Sequence, residues 1–500
     1  MAIPVETFFL APDAEGTLQA QIRQMIAQGI LSGRFRKGEK LPSSRRLAAH
    51  LGVSRITVTL ALTELQASDY LESRDRSGYY VSENAPEPPA FADPAPRAET
   101  VDWTRALGRR YSDGDTPEKP FDWARYPYPF IYGQTDPQLF DHANWRQCAL
   151  RALGARDFHA LSADHYDRDD PSLVEFIARH ILPRRGILAQ PSEILITMGA
   201  QNALWLAAQV LLTQRRTAVI ENPCYHALRD ILTQSRCHLH PVAVDRDGLP
   251  PGALPRHADV IFTTPSHQSP TNATMPLDRR RALLACAAKR EALIVEDDYE
   301  FEMAFLHPPL PALKSLDTEG RVIYVGSFSK SVFPGLRLGY LVGSKPFIRE
   351  ARALRASVLR HPPGLMQRTA AYFLSLGHYD SLIRRMARVF AGRREVMESA
   401  LAAHGLDVAG RGAFGGSSIW MQAPDGVDTA ALDTRLRARG VLIEPGAPFF
   451  HGPDRPRNFY RLAYSSIPSE RIAEGIARLA GELANRPGSG AGRGAGDFSI

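Results

Sequence analysis

The sequence predicts two parts of different fold class: a small winged helix-turn-helix at the N-terminus and a large α/β unit built on a mainly parallel sheet. Three observations carry this. Within the first 82 residues, an apolar helical period is followed by two more capped helical stretches and a short hairpin. From about Phe121 to Ala484, short β-type runs alternate with helical patterns. And 500 residues is too long for one core, so at least two domains are expected.

Composition narrows the class. Hydrophobic residues at 44% and charged residues at 23% describe a globular chain. No apolar run approaches a membrane span, and Met1–Leu10 lacks the basic-then-apolar pattern of a signal peptide, so a cytoplasmic protein is expected. Cys148, Cys224, Cys237 and Cys286 are scattered without metal-ligand or disulfide spacing, which fits a reducing compartment. The net charge of +6 says little by itself, but its placement says more. Between Ser32 and Arg55, the bases Arg34, Arg36, Lys37, Lys40, Arg45, Arg46 and Arg55 face a single acid, Glu39.

The elements follow in order. Leu18, Ile22, Met25, Ile26 and Ile30 mark the first helix, within Thr17–Leu31. After breaks at Gly33 and Gly38, Leu41-Pro42-Ser43-Ser44 offers a serine cap for a helix over Arg45–Leu51, which Gly52 ends. Ser54 caps a third, from about Arg55 to Ala67, whose Ile56, Val58, Leu62 and Leu65 are expected to pack inward. Tyr70-Leu71-Glu72 and Gly78-Tyr79-Tyr80-Val81 flank a hairpin tip, the wing. Residues 83–120 are rich in proline, alanine and charge and read as an extended linker. In the large unit, 121–484, the runs Ile194–Thr197, Ala218–Ile220, Val260–Thr263, Leu293–Val295 and Val322–Val325 are expected as parallel strands. The glycine-rich stretch 485–500 is expected to be disordered.

In a helix-turn-helix, the second helix of the pair presents its first turns to the major groove. Here those turns hold Ser54, Arg55, Thr57 and Thr59, while Ser43, Ser44, Arg45 and Arg46 open the helix before. Hydroxyls and guanidinium groups bond phosphate oxygens, and arginine reads guanine edges. The wing adds Arg74, Arg76 and Gly78. Over residues 17–82 this pattern resembles the N-terminal domain of GntR-type regulators, which implies double-stranded operator DNA as partner. Asp69 stands where that family commonly has glycine, and Asp tolerates the left-handed conformation such a turn needs.

The most informative stretch of the large unit is Ser327-Phe328-Ser329-Lys330, with Arg337 seven residues beyond the lysine. A lysine there suits an imine with an aldehyde cofactor, and the hydroxyls and arginine suit its phosphate. Together with Met198-Gly199-Ala200-Gln201, Asn222-Pro223-Cys224-Tyr225, Ser269-Pro270-Thr271-Asn272 and Asp297-Asp298-Tyr299, it resembles a fold-type I, aspartate-aminotransferase-like domain. The resemblance implies pyridoxal 5′-phosphate joined to Lys330 as an internal aldimine. Asp297 would bond the pyridine nitrogen, with Asp298 the competing candidate. Tyr299 and Asn272 would serve the 3-hydroxyl, and Tyr225 would stack on the ring. Gly199, Ala200, Gln201, Ser327, Ser329 and Arg337 would cradle the phosphate. Arg461 would clamp an effector's anionic group, with Tyr132 and Gly133 in the loop beside it. Tyr166 would reach the phosphate across a dimer interface. In the segment 165–177, Asp169 and Val174 replace the family's glycine and arginine, and Asp141 replaces a proline after Phe140.

A winged helix joined to such a domain resembles the MocR/GabR subfamily of GntR regulators. The resemblance implies a homodimeric transcription factor that senses a small amine by external aldimine formation at Lys330 and controls genes for its metabolism. A working aminotransferase with an accessory DNA-binding domain, or a sensor of pyridoxal phosphate itself, stays open, as does a single half-transamination by the regulator. Glu6-Thr7-Phe8-Phe9-Leu10 and the wing look most like taurine-utilisation regulators; γ-aminobutyrate, ectoine-derived diamines and other amino acids remain alternatives.

Overall fold

The computed structural model describes residues 2–10, 16–75, 77–87, 100–108, 110–112, 117, 119–164, 167–410 and 412–484. The chain divides into two compact units, 1–110 and 111–500. Arg76, Tyr166 and the stretch 485–500 lie outside the described residues.

In the first unit, helix α1 (Leu18–Leu31) starts where the Thr17 side chain accepts from the Ala20 N–H. Helix α2 (Ser44–Leu51) is capped by Ser43 and ends at Gly52 with φ +67°. Helix α3 (Arg55–Ala67) is capped by Ser54. The turn after α3 is made as the sequence suggested, with Asp69 left-handed at φ +58°. Strands β1 (Leu71–Arg74) and β2 (Gly78–Val81) pair antiparallel as the wing. The core holds Ile22, Ile26, Val58, Leu62 and Leu65, and the N-terminal segment joins it through Phe8, stacked on Phe35 at 5.1 Å. Ile56 departs from expectation. It is 73% exposed, because Val58, Leu62 and Leu65 take the inward face at spacings of four and three and leave position 56 on the opposite side.

The second unit is built on a seven-stranded sheet. Its strands are β3 (Ile194–Thr197), β4 (Thr217–Asn222), β5 (His238–Ala243), β6 (Val260–Thr263), β7 (Leu293–Asp297), β8 (Val322–Ser327) and β9 (Gly339–Val342). The spatial order is β3-β9-β8-β7-β6-β4-β5, with β9 antiparallel to both its neighbours and the remaining pairs parallel. Strands β5 and β9 were not expected from sequence. β5 is a sheet-edge strand whose His238, His240 and Pro241 break the apolar run, and β9 lies inside what reads as the glycine-rich phosphate loop. A second sheet, β10 (Val408–Gly410), β11 (Ser418–Gln422), β12 (Glu444–Pro445) and β13 (Phe459–Ala463), places Glu444 directly opposite Arg461.

Two departures from the family pattern have structural uses. Asp141 caps the helix His142–Ala152, accepting from the Asn144 N–H. The Asp169 carboxylate takes Arg355 at 2.5 Å and Arg352 at 2.7 Å, both on helix α4 (Lys345–Leu359), and receives the Ile196 N–H from β3. Arg355 is fully buried. Removing the carboxylate would strand it, so Asp169→Ala is expected to lower stability by about 3–5 kcal/mol. The denaturant midpoint of the large unit's unfolding checks this; an unchanged midpoint would contradict the role.

Candidate functional site

The carboxyl ends of parallel strands are where an open α/β sheet offers a ligand crevice. Here β7 ends at Asp297, β8 at Ser327, and β3 leads through Gly199 into the helix Ala200–Leu211. These ends converge on a cavity of about 260 Å³. Its lining includes Tyr132, Gly133, Ala200, Gln201, Tyr225, Asp297, Tyr299, Ser327, Ser329, Lys330, Arg337 and Arg461, so residues from distant parts of the chain share one space. Burial pushes the Lys330 ammonium down to about 7, with Lys119 and Arg461 adding to the effect against the opposing pull of Glu300. Such an amine is available as a nucleophile near neutral pH.

The choice between the adjacent aspartates is decided by their partners. Asp298 is held through Oδ2 by Arg185 at 2.6 Å and by the Tyr324 hydroxyl at 2.8 Å, and although its Oδ1 is also buried without a partner, it does not line the cavity. Asp297 reaches the cavity, and its buried Oδ1 has no hydrogen-bond partner. Burial first, and the neighbouring Asp298 second, raise its carboxyl to about 8. An orphaned acceptor at this place fits the protonated pyridine nitrogen of pyridoxal phosphate. The phosphate side fits as well. Gly199, at φ +82°, lies where a Cβ would sit 3.5 Å from the Arg337 guanidinium. Arg337 bonds back to the Met198 carbonyl at 3.3 Å, and the Ser329 N–H donates to Ser327 Oγ at 3.2 Å. Together with the first turn of the helix at Ala200 and Gln201, these residues would hold a phosphate.

Asn272 is not where the sequence reading put it. Its amide donates to the Ser418 carbonyl at 2.9 Å, and its backbone is left-handed at φ +62°. The cavity wall from this segment is Ser269. An asparagine tolerated in a left-handed turn is a structural choice, and only the turn geometry distinguishes it from a ligand-binding one.

The anion side contains more than the lone arginine expected. Arg461 is buried and bonds Glu444 Oε2 through Nε at 2.7 Å and Nη2 at 2.6 Å. Its guanidinium lies 3.9 Å from the Tyr132 ring centroid, while Lys330 Nζ lies 4.0 Å from the same centroid. Gly133, at φ +86°, is where a Cβ would stand 2.8 Å from Lys330 Nζ, so a side chain there would strike the amine. The Tyr132 hydroxyl is held by Glu300 at 3.3 Å. Sequence reasoning missed Lys119, Glu444 and His226, all in the cavity wall. Lys119 sits in a stretch assigned to the linker, although it belongs to the second compact unit. No sequence motif marks any of the three.

In the DNA-binding unit, Ser43, Arg45, Arg46, Ser54 and Arg55 are exposed, and Ser44, Thr57 and Thr59 are partly so. Arg55 Nε reaches Ser44 Oγ at 3.4 Å, linking the openings of α2 and α3. Arg74 is paired with Glu72 at 2.7 Å and stacks on Tyr80 at 4.3 Å, and Gly78 turns the wing at φ +103°.

Known proteins share both halves. Residues 18–81 match the bacterial regulatory proteins of the gntR family, and residues 144–479 match aminotransferase class I and II. The HTH-type transcriptional regulator TauR of Rhodobacter capsulatus is 61% identical over 97% of this chain and 100% of its own length. The probable rhizopine catabolism regulatory protein MocR of Rhizobium meliloti is 30% identical, over 96% of each chain. Among solved structures, the α-aminoadipate aminotransferase LysN of Thermus thermophilus superposes with a TM-score of 0.69 at 28% identity, covering 77% of this chain and 98% of that one. A DNA-binding winged helix carried on an aminotransferase fold defines a transcriptional regulator rather than a metabolic enzyme. The chain belongs to the MocR type of GntR-family regulators.

The raised Asp297 carboxyl has a pH consequence for the cofactor-free protein. The folded state keeps this proton up to about 8, whereas an unfolded aspartate releases it near 3.9. Folding therefore takes up a proton between those values, and this group's contribution to stability falls as pH rises through that window. Asp297→Asn is expected to flatten the decline, seen as a smaller loss of melting temperature between pH 5 and about 8. An identical pH profile would mean the carboxyl is not raised.

Proposed function

We propose that this regulator carries pyridoxal 5′-phosphate on Lys330, senses a small amine with an acidic end group, taurine foremost, and controls genes for that compound's metabolism. The observation that carries this is one cavity holding an amine of lowered basicity, an orphaned buried carboxyl oxygen and a buried arginine. When bound, the cofactor supplies an aldehyde carbon that accepts either the lysine's nitrogen or an effector's. Asp297 would keep the pyridine nitrogen protonated, Tyr225 and Tyr299 would flank the ring, and Ser327, Ser329 and Arg337 would hold the phosphate. Arg461 would then orient the effector by its anion.

Size supports a short effector. Lys330 Nζ and the Arg461 guanidinium carbon flank the same Tyr132 ring and stand within about 8 Å of each other. A two-carbon chain between nitrogen and acid spans about 4 Å, and a bidentate pair adds about 4 Å from the acid's centre to the guanidinium carbon. About 8 Å is the greatest separation that the two ring distances, 4.0 and 3.9 Å, allow, and extended taurine just reaches that limit. γ-Aminobutyrate, one methylene longer, would have to coil. The name of the 61% identical relative, TauR, points the same way. An effector shifts the protein between states only by as much as it binds one of them better. Exchange at Lys330 and engagement of Arg461 are the contacts that would differ.

For the DNA-binding unit, we propose that Arg55, Thr57 and Thr59 enter the major groove with Ile56 meeting a thymine methyl. Ser43, Ser44, Arg45, Arg46 and Ser54 would hold phosphates, with the wing beside them. The proposed assembly is a cytoplasmic homodimer presenting two such heads, with Tyr166 completing the partner's phosphate site.

Lys330→Ala is expected to abolish the visible absorbance that added pyridoxal phosphate confers and to remove the effector's influence on operator binding. A variant that still answers taurine would refute the sensor. Arg55→Ala should weaken operator binding by about 1–3 kcal/mol if the arginine reads a guanine. Unchanged affinity and salt dependence in a gel-shift titration would exclude α3 as the recognition helix.

A further inference from the structure

Lys119 extends into the cavity from the start of the second unit, donating to the Tyr132 carbonyl oxygen and lying 3.4 Å from Glu444 Oε1. Glu444 is almost fully buried, and its other oxygen, Oε2, takes both Nε and Nη2 of Arg461. One carboxylate therefore serves two cations, one on each oxygen. The arrangement is imposed by the fold, because Glu444 and Arg461 are directly opposed across β12 and β13. His226 stands in the same wall with its Nδ1 unpartnered.

We propose that Lys119 and Arg461 jointly seat the effector's anionic group, that Glu444 is the resident anion this group displaces, and that the seat favours a sulfonate over a carboxylate. This assignment rests on the effector reading above and sharpens it.

Three physical arguments support it. First, Arg461 is buried and cannot be left unpaired, so an effector anion must take over what Glu444 now supplies. Second, the two cations approach different oxygens. A sulfonate can keep two oxygens on the guanidinium fork and offer its third to Lys119, whereas a carboxylate that reaches Lys119 must, as Glu444 does, leave a single oxygen for both N–H groups of the guanidinium. Third, the displaced carboxylate has an alternative donor at hand. The Nδ1 atom of half-buried His226 is shielded from solvent and without a partner, and Glu444 is the charged group acting on this histidine most strongly. Lys119 is the less buried of the two cations, with a third of its side chain exposed, and is therefore free to follow the incoming anion.

The test uses the full chain loaded with pyridoxal phosphate. Taurine and β-alanine share a two-carbon span and differ in the acid; their binding is read from the cofactor's visible band. Ethanesulfonate, which has no amine, is read by calorimetry and reports the anion seat alone. Lys119→Met is expected to weaken taurine about tenfold and β-alanine less than about threefold, with ethanesulfonate weakened alongside taurine and Lys119→Arg restoring the preference. Glu444→Gln is expected to melt lower because buried Arg461 loses its counter-charge, to regain stability when ethanesulfonate is added, and to bind ethanesulfonate several-fold more tightly than the wild type. A taurine to β-alanine ratio in Lys119→Met equal to that of the wild type would overturn the seat, and so would ethanesulfonate binding indifferent to both substitutions. A wild-type chain that binds β-alanine and ignores both sulfonates would also overturn it while leaving an amine-sensing regulator intact. One that answers none of the three compounds would overturn the effector reading with it.

Discussion

A buried acceptor with no partner is the constraint around which the second unit is organised. Asp297 Oδ1 has no hydrogen bond and faces the cavity, while the adjacent Asp298, whose Oδ1 is also unpartnered, is locked through Oδ2 by Arg185 and Tyr324. Leaving a carboxyl oxygen dry and unpaired is costly, and the cost shows in the raised carboxyl, close to 8. The fold tolerates it because β7 ends there, at the mouth of the crevice formed by the parallel strands. A cofactor with a protonated ring nitrogen, as the aminotransferase fold implies, would relieve the penalty.

The opposite wall has the reverse problem, too many cations. Lys330, Arg461 and Lys119 converge around the Tyr132 ring and main chain, and Glu444 and Glu300 are the anions placed among them. Like charges gathered in a buried site lower one another's affinity for protons, which adds to burial in making Lys330 a usable amine. The same surplus makes the site receptive to an incoming anion. Reactivity at one end and recognition at the other thus share an electrostatic origin. The function proposed for this site needs only that the effector's exchange be reversible and that one state be favoured.

The DNA-binding unit works by simpler means. Three helix starts are closed by Thr17, Ser43 and Ser54, each accepting a backbone N–H, so the helices of this unit are set by local chemistry. The bases that crowd this stretch, all but half-buried Lys40, are left exposed, as phosphate contact requires. The exposure of Ile56 on the outer face of α3 fits a reader that uses apolar as well as polar contacts.

Local patterns were legible without coordinates. Helix caps, the left-handed Asp69, five of the central strands and the lysine loop each depend on neighbours a few residues away, which a sequence displays directly. Lys330, Tyr225, Tyr299, Ser327 and Ser329 all meet in one cavity because strand ends put them there. What the linear chain could not display were contacts made across hundreds of residues. Asn272 looked like a ligand-binding amide until its partner proved to be Ser418. Which aspartate stays free depends on Arg185, more than a hundred residues upstream. Lys119, in a proline- and charge-rich stretch, and Glu444, on a two-residue strand, carry no pattern of their own. By itself the sequence determined the two fold classes and the position of the lysine loop, since both arise from short-range periodicity and motif. The tertiary structure alone decided which buried charges are paired and which are left over, because pairing is settled by proximity in space.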